Sequence, residues 1–192
     1  MRGDTVIVFA RAPRLGAVKR RLARGIGAMQ ALRFYRAQLS ATLAAVAGDG
    51  RWRTILATTP SRVRAVWPRR LPRIGQARGD LGARMERAMR PLRRVVLVGS
   101  DIPGLAREDI AAAFRALGRA EAVFGPAEDG GYWLVGLGPR RPMRPFGAVR
   151  WSTRHALADT LANFHGRRVA LLRRLRDVDT AVDLRAVRGG FP

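Results

Sequence analysis

The sequence predicts a single-domain α/β fold: a mostly parallel, Rossmann-like sheet with helices on both faces. Three observations carry this. Four consecutive aliphatic residues, Val95 to Val98, end in Gly99, Ser100 and Asp101, and such a run marks a strand buried on both faces, as central parallel strands are. Strand-like and helix-like segments alternate along the chain, as they do when helices cross over a parallel sheet. A length of 192 residues with 47% hydrophobic content suits one domain, residues 1–192, with a full core.

Taken in order, Val6 to Ala10 reads as the first strand. Residues 11–18 form a loop with Pro13 and Gly16, and Lys19 to Ala23 opens a helix. A second helix runs from about Ala28 to Ala47, its apolar face carrying Leu32, the stem of Arg36, Leu39, Leu43 and Val46. Trp52 to Thr58 is a strand, Ser61 can cap a short helix to Trp67, and Arg73 to Gln76 is a short strand. Gly79 and Asp80 open a helix to about Leu92 with a Leu81, Met85, Ala88, Met89 and Leu92 stripe. After the Val95 strand, Arg107 to Leu117 is helical, with Glu108 and Asp109 favourable at its positive end. Ala122 to Phe124 and Tyr132 to Leu137 are strands flanking a loop, residues 125–131. Residues 139–145, rich in Pro and Arg, read as a mobile loop. Ser152 or Thr153 caps a helix carrying Leu157, Thr160, Leu161 and Phe164, and Val169 to Leu172 is a late strand. Thr180 and Asp183 have capping-box spacing for a last helix.

A formal net charge of +23 raises the question of nucleic acid. Of 37 basic residues, however, 36 are arginine, spread along the chain with few aromatics between them. That points to compositional drift, so no specific nucleic-acid partner is expected. No apolar run is long enough for a membrane span, and Val6 to Ala10 is too short for a signal core. The absence of cysteine excludes disulfides and thiolate–zinc sites. A cytoplasmic location is the expectation. The one surviving lysine, Lys19, is either a chance survivor or marks a place where a compact ammonium suits better than a guanidinium fork.

Four segments can carry chemistry. Ala10 to Leu22 is a strand, a Gly-containing loop and a lysine at a helix start, a layout that holds phosphates or is an ordinary connection with a surface lysine. Neither G-x-x-x-x-G-K-[ST] nor G-x-G-x-x-G is present. Asp101 stands at a strand end, where ligands bind in open α/β sheets; it can hold a hard cation or stabilise a turn, and Asp80 has the same ambiguity as a cap. Gly125 to Tyr132 is a hairpin turn, or a close-approach loop in which Asp129 acts on an acceptor. Asp177 and Asp179 follow the late strand, and one of them can reach the same site. His155 and His165 read as structural or surface residues.

Together these segments resemble one family: the small bacterial GT-A-like transferases known as radical-SAM/selenodomain-associated transferases or arsenosugar-pathway glycosyltransferases. The resemblance runs over Phe9 to Pro13, Gly16, Lys19, Arg21 and Leu22. It continues through Gln76, Gly79 to Gly82, Arg84 and Met85, Gly99 to Pro103, Gly125 to Ala127, Asp129 to Tyr132, Trp151 to Thr153 and Asp177 to Thr180. One departure stands out: the family tends to read Lys-Thr-Arg-Leu where this chain has Lys19-Arg20-Arg21-Leu22.

The resemblance implies the nucleotide-diphospho-sugar transferase fold, a nucleotide-sugar donor, an unidentified small-molecule acceptor and Mg²⁺ or Mn²⁺ on Asp101, with Asp179 as second ligand. Arg11, Pro13, Gly16, Lys19, Arg21 and Asp80 would bind the nucleotide. Asp129 would orient or deprotonate the acceptor, held by Gly130, Gly131, Tyr132, Trp151 and Ser152. Two other functions stay open: a guanylyltransferase-like nucleotidyltransferase releasing pyrophosphate, and a non-catalytic protein binding nucleotides or polyanions.

Overall fold

The computed structural model describes residues 3–61, 65, 67 and 70–189. Its strands are β1 (Asp4–Arg11), β2 (Arg53–Thr59), β3 (Arg73–Gly75), β4 (Arg94–Gly99), β5 (Ala122–Pro126), β6 (Tyr132–Leu137) and β7 (Val169–Leu171). Its helices are α1 (Arg20–Ile26), α2 (Ala28–Val46), α3 (Leu81–Met89), α4 (Arg107–Ala116), α5 (Ala156–Ala162) and α6 (Ala181–Gly189). The strands form one sheet in the order β3-β2-β1-β4-β6-β5-β7. Strands β1, β2, β3 and β4 run parallel, as do β5 and β7, while β6 is antiparallel to both its neighbours. The loop at residues 127–131 is therefore a hairpin connection.

Successive aliphatics serve opposite faces of the sheet, as strand geometry requires. Val6, Val8, Val96 and Val98 pack with Leu39 and Leu43 of α2 and Ile110 and Phe114 of α4. Ile7, Val95, Leu97 and Phe124 pack on the other face with Met85 and Met89 of α3 and with Phe164. Fully burying a leucine such as Leu39 or Leu43 stabilises the fold by about 1.5–3 kcal/mol relative to exposure.

Three local readings change. On α2 the inward residue is Tyr35, while Arg36 is exposed; spacings of three and four from Leu32 compete, and the tyrosine reaches polar partners inside. Helix α5 starts at Ala156 with His155 as N-cap, not at Ser152 or Thr153. Ser152 has φ 61°, outside the extended region an N-cap adopts, and Thr153 instead closes a turn through Ala156 N–H to its carbonyl, 3.2 Å. Residues 139–145 are fastened by Arg141, whose guanidinium donates to the carbonyls of Gly138, Met89, Leu92 and Arg93. Most of the expected Ser61–Trp67 helix lies outside the described residues. The last helix is capped as read, with Asp183 Oδ2 accepting from Thr180 N–H at 2.8 Å.

Among the described residues no helix is long and apolar enough to cross a membrane.

Candidate functional site

Strand order reverses between β1 and β4, since β1 leads outward to β2 on one side and β4 to the rest of the sheet on the other. At such a switch point the loops leaving the carboxyl ends of neighbouring strands diverge and leave a crevice. Here the crevice is a cleft of about 570 Å³. The β1 loop supplies Arg11 and Lys19, β4 supplies Ser100 and Asp101, and the chain after β7 supplies Asp177 and Asp179.

Tyr35 ties the two strand ends together. Its hydroxyl accepts from Arg11 N–H at 2.9 Å, donates to Arg11 O at 3.0 Å and lies 3.0 Å from Ser100 Oγ. Burial, opposed by the Ser100 hydrogen bond, pushes its pKa up to about 12, so it stays a neutral phenol.

Lys19 is the centre of the cleft's charge. It is the N-cap of α1 in the left-handed conformation, φ 46°, which side chains seldom adopt outside constrained sites. Its ammonium lies 2.7 Å from Asp101 Oδ2, 3.1 Å from Asp177 Oδ1 and 3.1 Å from Asp179 Oδ1. Three carboxylates thus meet the three N–H donors of one ammonium. Burial works against the charge, with only 5% of the side chain exposed, but the carboxylates outweigh it and hold the pKa above the usual lysine value. Asp177 is raised to about 6, first by burial and then by the charges of Asp101 and Asp179, with Lys19 opposing.

The acidic segment is anchored from several directions. Leu175 pairs with Ala127 and its N–H donates to Pro126 O at 3.1 Å. Arg173 grips buried Asp109 through two 2.7 Å bonds, and Arg176 meets Glu128 at 2.6 Å. The β5–β6 hairpin and the start of α4 therefore fix where Asp177 and Asp179 stand.

A second, smaller pocket of about 180 Å³ adjoins the cleft. Leu81, Ser152 and Asp177 line both. Its walls include Ile102, Tyr132, Trp133 and Trp151, with Asp129 and Gly131 at one side. Tyr132 meets Trp151 edge-on, with ring centroids 6.3 Å apart. A Cβ on Gly82 would lie 2.8 Å from Trp151, so the second glycine of Gly79-Asp80-Leu81-Gly82 has a packing reason: it lets α3 approach the indole.

The sequence-derived residues divide accordingly. Arg11, Lys19, Arg21, Asp101 and Asp179 line the cleft. Pro13 is buried in the β1 loop, Gly16 sits at its exposed turn, and neither lines the cleft. Asp80 caps α3 by accepting from Ala83 N–H at 2.8 Å; its backbone carbonyl also accepts from Arg84 Nε at 3.1 Å, and Arg84 does line the cleft. Asp129 turns its Oδ1 onto Gly131 N–H at 2.9 Å and lines the small pocket rather than the cleft, beside Asp177. Gly131, Tyr132, Trp151 and Ser152 line the small pocket. Gly130, with φ 85°, packs its α-carbon against the Arg154 carbonyl and accepts from Leu157 N–H at 3.0 Å, docking the hairpin on α5.

Sequence reasoning missed Tyr35 and gave no role to Gln76, whose amide donates to Ala57 O at 3.0 Å and accepts from Arg84 at 3.2 Å. It also left undecided which of Asp177 and Asp179 arrives; both do. Their flanking strand end was visible, but nothing local shows that Lys19, 158 residues away, lies between them.

Asp101, Asp177 and Asp179 offer hard oxygen ligands around a single cation position, chemistry that suits Mg²⁺ or Mn²⁺. Lys19 Nζ holds that position here, and among the described residues no group of three His, Cys, Asp or Glu is arranged to hold an ion on its own.

Residues 42–153, more than half of the chain, match the model of the family DUF2064, described as an uncharacterized protein conserved in bacteria, and the chain belongs to that family. No curated protein sequence matches it. Among solved structures it is similar to a "putative nucleotide-diphospho-sugar transferase" from Desulfovibrio desulfuricans G20, with TM-score 0.90 and 29% identity over 97% of this chain and 87% of that one. It is also similar to CMP:2-keto-3-deoxy-manno-octonic acid synthetase complexed with CTP, with TM-score 0.59 and 14% identity over 97% of each chain. A third is Rv0371C of Mycobacterium tuberculosis H37Rv in complex with manganese, with TM-score 0.51 and 15% identity over 98% of this chain and 100% of that one. The fold is thus the α/β fold of nucleotide-diphospho-sugar transferases, with a mostly parallel seven-stranded sheet.

Proposed function

We propose that this DUF2064 member is a transferase that moves a sugar from a nucleoside-diphosphate donor to a small acceptor, with residues 1–192 acting as one transferase domain. The donor lies in the cleft between β1 and β4, its phosphates facing Lys19, Arg11, Arg21 and Arg84. Asp101 and Asp179 would hold Mg²⁺ or Mn²⁺, whose charge would neutralise the departing nucleoside diphosphate. With the carboxylates so satisfied, Lys19 Nζ is released to phosphate oxygens. The small pocket takes the acceptor.

Asp177 is the carboxylate common to cleft and pocket, so it can touch the attacking hydroxyl while staying beside the donor. Its Oδ1 is taken by Lys19 and by Val178 N–H at 2.6 Å. Among the described residues no protein donor reaches Oδ2, which can therefore accept the hydroxyl proton. Asp129, which also lines the small pocket, orients the acceptor.

The observation that favours glycosyl over nucleotidyl transfer is the fastening of the β1 loop. Tyr35 clamps Arg11, and Arg36 Nη2 donates to Pro13 O at 3.3 Å. Pro13 also fixes its own φ. Wrapping a triphosphate as pyrophosphate leaves calls for free backbone N–H groups and glycine-like freedom; a fastened loop suits a diphosphate already joined to its sugar. The name of the Desulfovibrio relative agrees with this reading.

The test offers purified protein and Mn²⁺ a panel of nucleotide sugars and, separately, nucleoside triphosphates with phosphorylated small molecules. Slow release of nucleoside diphosphate from one nucleotide sugar is the expected result. Pyrophosphate release with no turnover of any nucleotide sugar would replace this reading with nucleotidyl transfer.

A further inference from the structure

The small pocket's composition runs against the rest of the molecule. The chain carries 37 basic and 14 acidic residues, yet both charged residues lining this pocket, Asp129 and Asp177, are acids. The remaining wall is mostly apolar or aromatic, chiefly Leu81, Ile102, Tyr132 and Trp151, with Ser152 and Thr153 as its uncharged polar residues. We infer that the acceptor is a non-anionic alcohol with an apolar face, and that this pocket excludes phosphorylated acceptors. The inference rests on the transferase reading for the word acceptor, but the binding preference itself follows from the walls.

The physical basis is charge and shape together. A phosphate seated here faces two carboxylates and no basic residue among those lining the pocket; Lys19 offsets Asp177 from the cleft side at 3.1 Å, while Asp129 has no ion-pair partner among the described residues. That repulsion amounts to about tenfold or more in affinity at the effective dielectric of a half-open site. An uncharged hydroxyl does the opposite. It donates to Asp177 Oδ2 while its carbon skeleton lies against the Trp151 and Tyr132 rings, whose arrangement Phe146 supports from behind Trp151 at 6.3 Å.

The reaction then balances without another reagent. The acceptor O–H proton passes to Asp177 Oδ2 as the acceptor oxygen bonds to the sugar carbon. The bond from that carbon to the phosphate oxygen breaks, its electron pair leaving with the nucleoside diphosphate, and Asp177 returns its proton to water. An acceptor that attacked through an ionised phosphate oxygen would have no use for a base here.

Matched probes test the inference: benzyl alcohol and benzyl phosphate, titrated into the whole chain in high salt to screen the arginine surface. Binding is read from the Trp151 indole N–H shift in two-dimensional NMR, assigned by its loss in Trp151→Phe. Benzyl alcohol should shift that signal, and benzyl phosphate should do so at least tenfold more weakly. The Asp129→Asn/Asp177→Asn double variant should narrow the gap between alcohol and phosphate binding by about tenfold. A benzyl phosphate response at Trp151 equal to that of the alcohol overturns the inference. So does the absence of any benzyl alcohol response up to its solubility limit. Calorimetry with nucleoside diphosphate and Mn²⁺, run in parallel, separates the two claims. Nucleotide that fails to bind while the alcohol still shifts Trp151 would sink the transferase reading and leave the pocket's preference standing.

Discussion

Replacing Lys19 by methionine keeps the side chain's length and apolar stem but removes the charge that three carboxylates share. In the wild-type chain Nζ lies 2.7, 3.1 and 3.1 Å from Asp101, Asp177 and Asp179. At an effective dielectric of about 20, one unit-charge pair at 4 Å is worth about 4 kcal/mol. Removing the lysine forfeits three such attractions and exposes the carboxylates to one another, which sets the direction. Breaking a buried pair typically costs about 3–5 kcal/mol. Here the carboxylates are 23%, 34% and 48% exposed, and solvent screens the last two, so about 2–3 kcal/mol is the expected loss. For a chain of this size that lowers Tm by roughly 4–12 °C.

The carboxylate triad of Lys19→Met should then accept the hard cation whose position the ammonium held. A divalent ion at a hundredfold excess over its Kd returns about 2.7 kcal/mol. The assay is thermal unfolding of wild type and Lys19→Met in chelator and across a Mn²⁺ series. The expected pattern is a variant that melts lower in chelator and regains most of the difference in Mn²⁺, beside a wild type that responds less. A variant that melts with the wild type, or one destabilised but indifferent to Mn²⁺, would refute the picture of three carboxylates converging on one cation position.

Two further variants probe the frame around the site. Tyr35→Phe removes the acceptor of Arg11 N–H and the donor to Arg11 O, leaving partly buried backbone groups unpaired at about 1–3 kcal/mol; equilibrium denaturation should show the loss, and calorimetry should show weaker nucleoside diphosphate binding as the β1 loop loosens, whereas unchanged stability would mean that Tyr35 does not clamp the loop. Gly82→Ala places a methyl 2.8 Å from Trp151, an overpacking worth about 1–3 kcal/mol; it should shift the Trp151 indole signal and weaken benzyl alcohol binding, and an unmoved indole would contradict the close approach of α3.

The sequence by itself determined the sheet and the places where chemistry gathers. The Val95 to Val98 run had to be central, because four successive aliphatics supply both faces of a strand and only a sheet covered on both sides buries them. The ends of β1 and β4, and with them Lys19 and Asp101, followed from that. Local chemistry also announced the cap at Thr180 and Asp183 and the turn after β5. Tertiary structure decided how the charges pair. Asp177 and Asp179 lie some 160 residues from Lys19, and no periodicity links them; the link exists because Arg173, Leu175 and Arg176 fasten their segment to α4 and to the β5–β6 hairpin. It also separated Asp177, shared by cleft and pocket, from Asp129, turned onto its own loop. Tyr35 carries the same lesson: helical spacing passes over it in favour of the Arg36 stem, and only the meeting of β1 and β4 beneath its hydroxyl makes it a clamp. Spacing along a chain fixes which face a side chain takes, whereas which charges meet across a cleft depends on where the ends of distant strands come to rest.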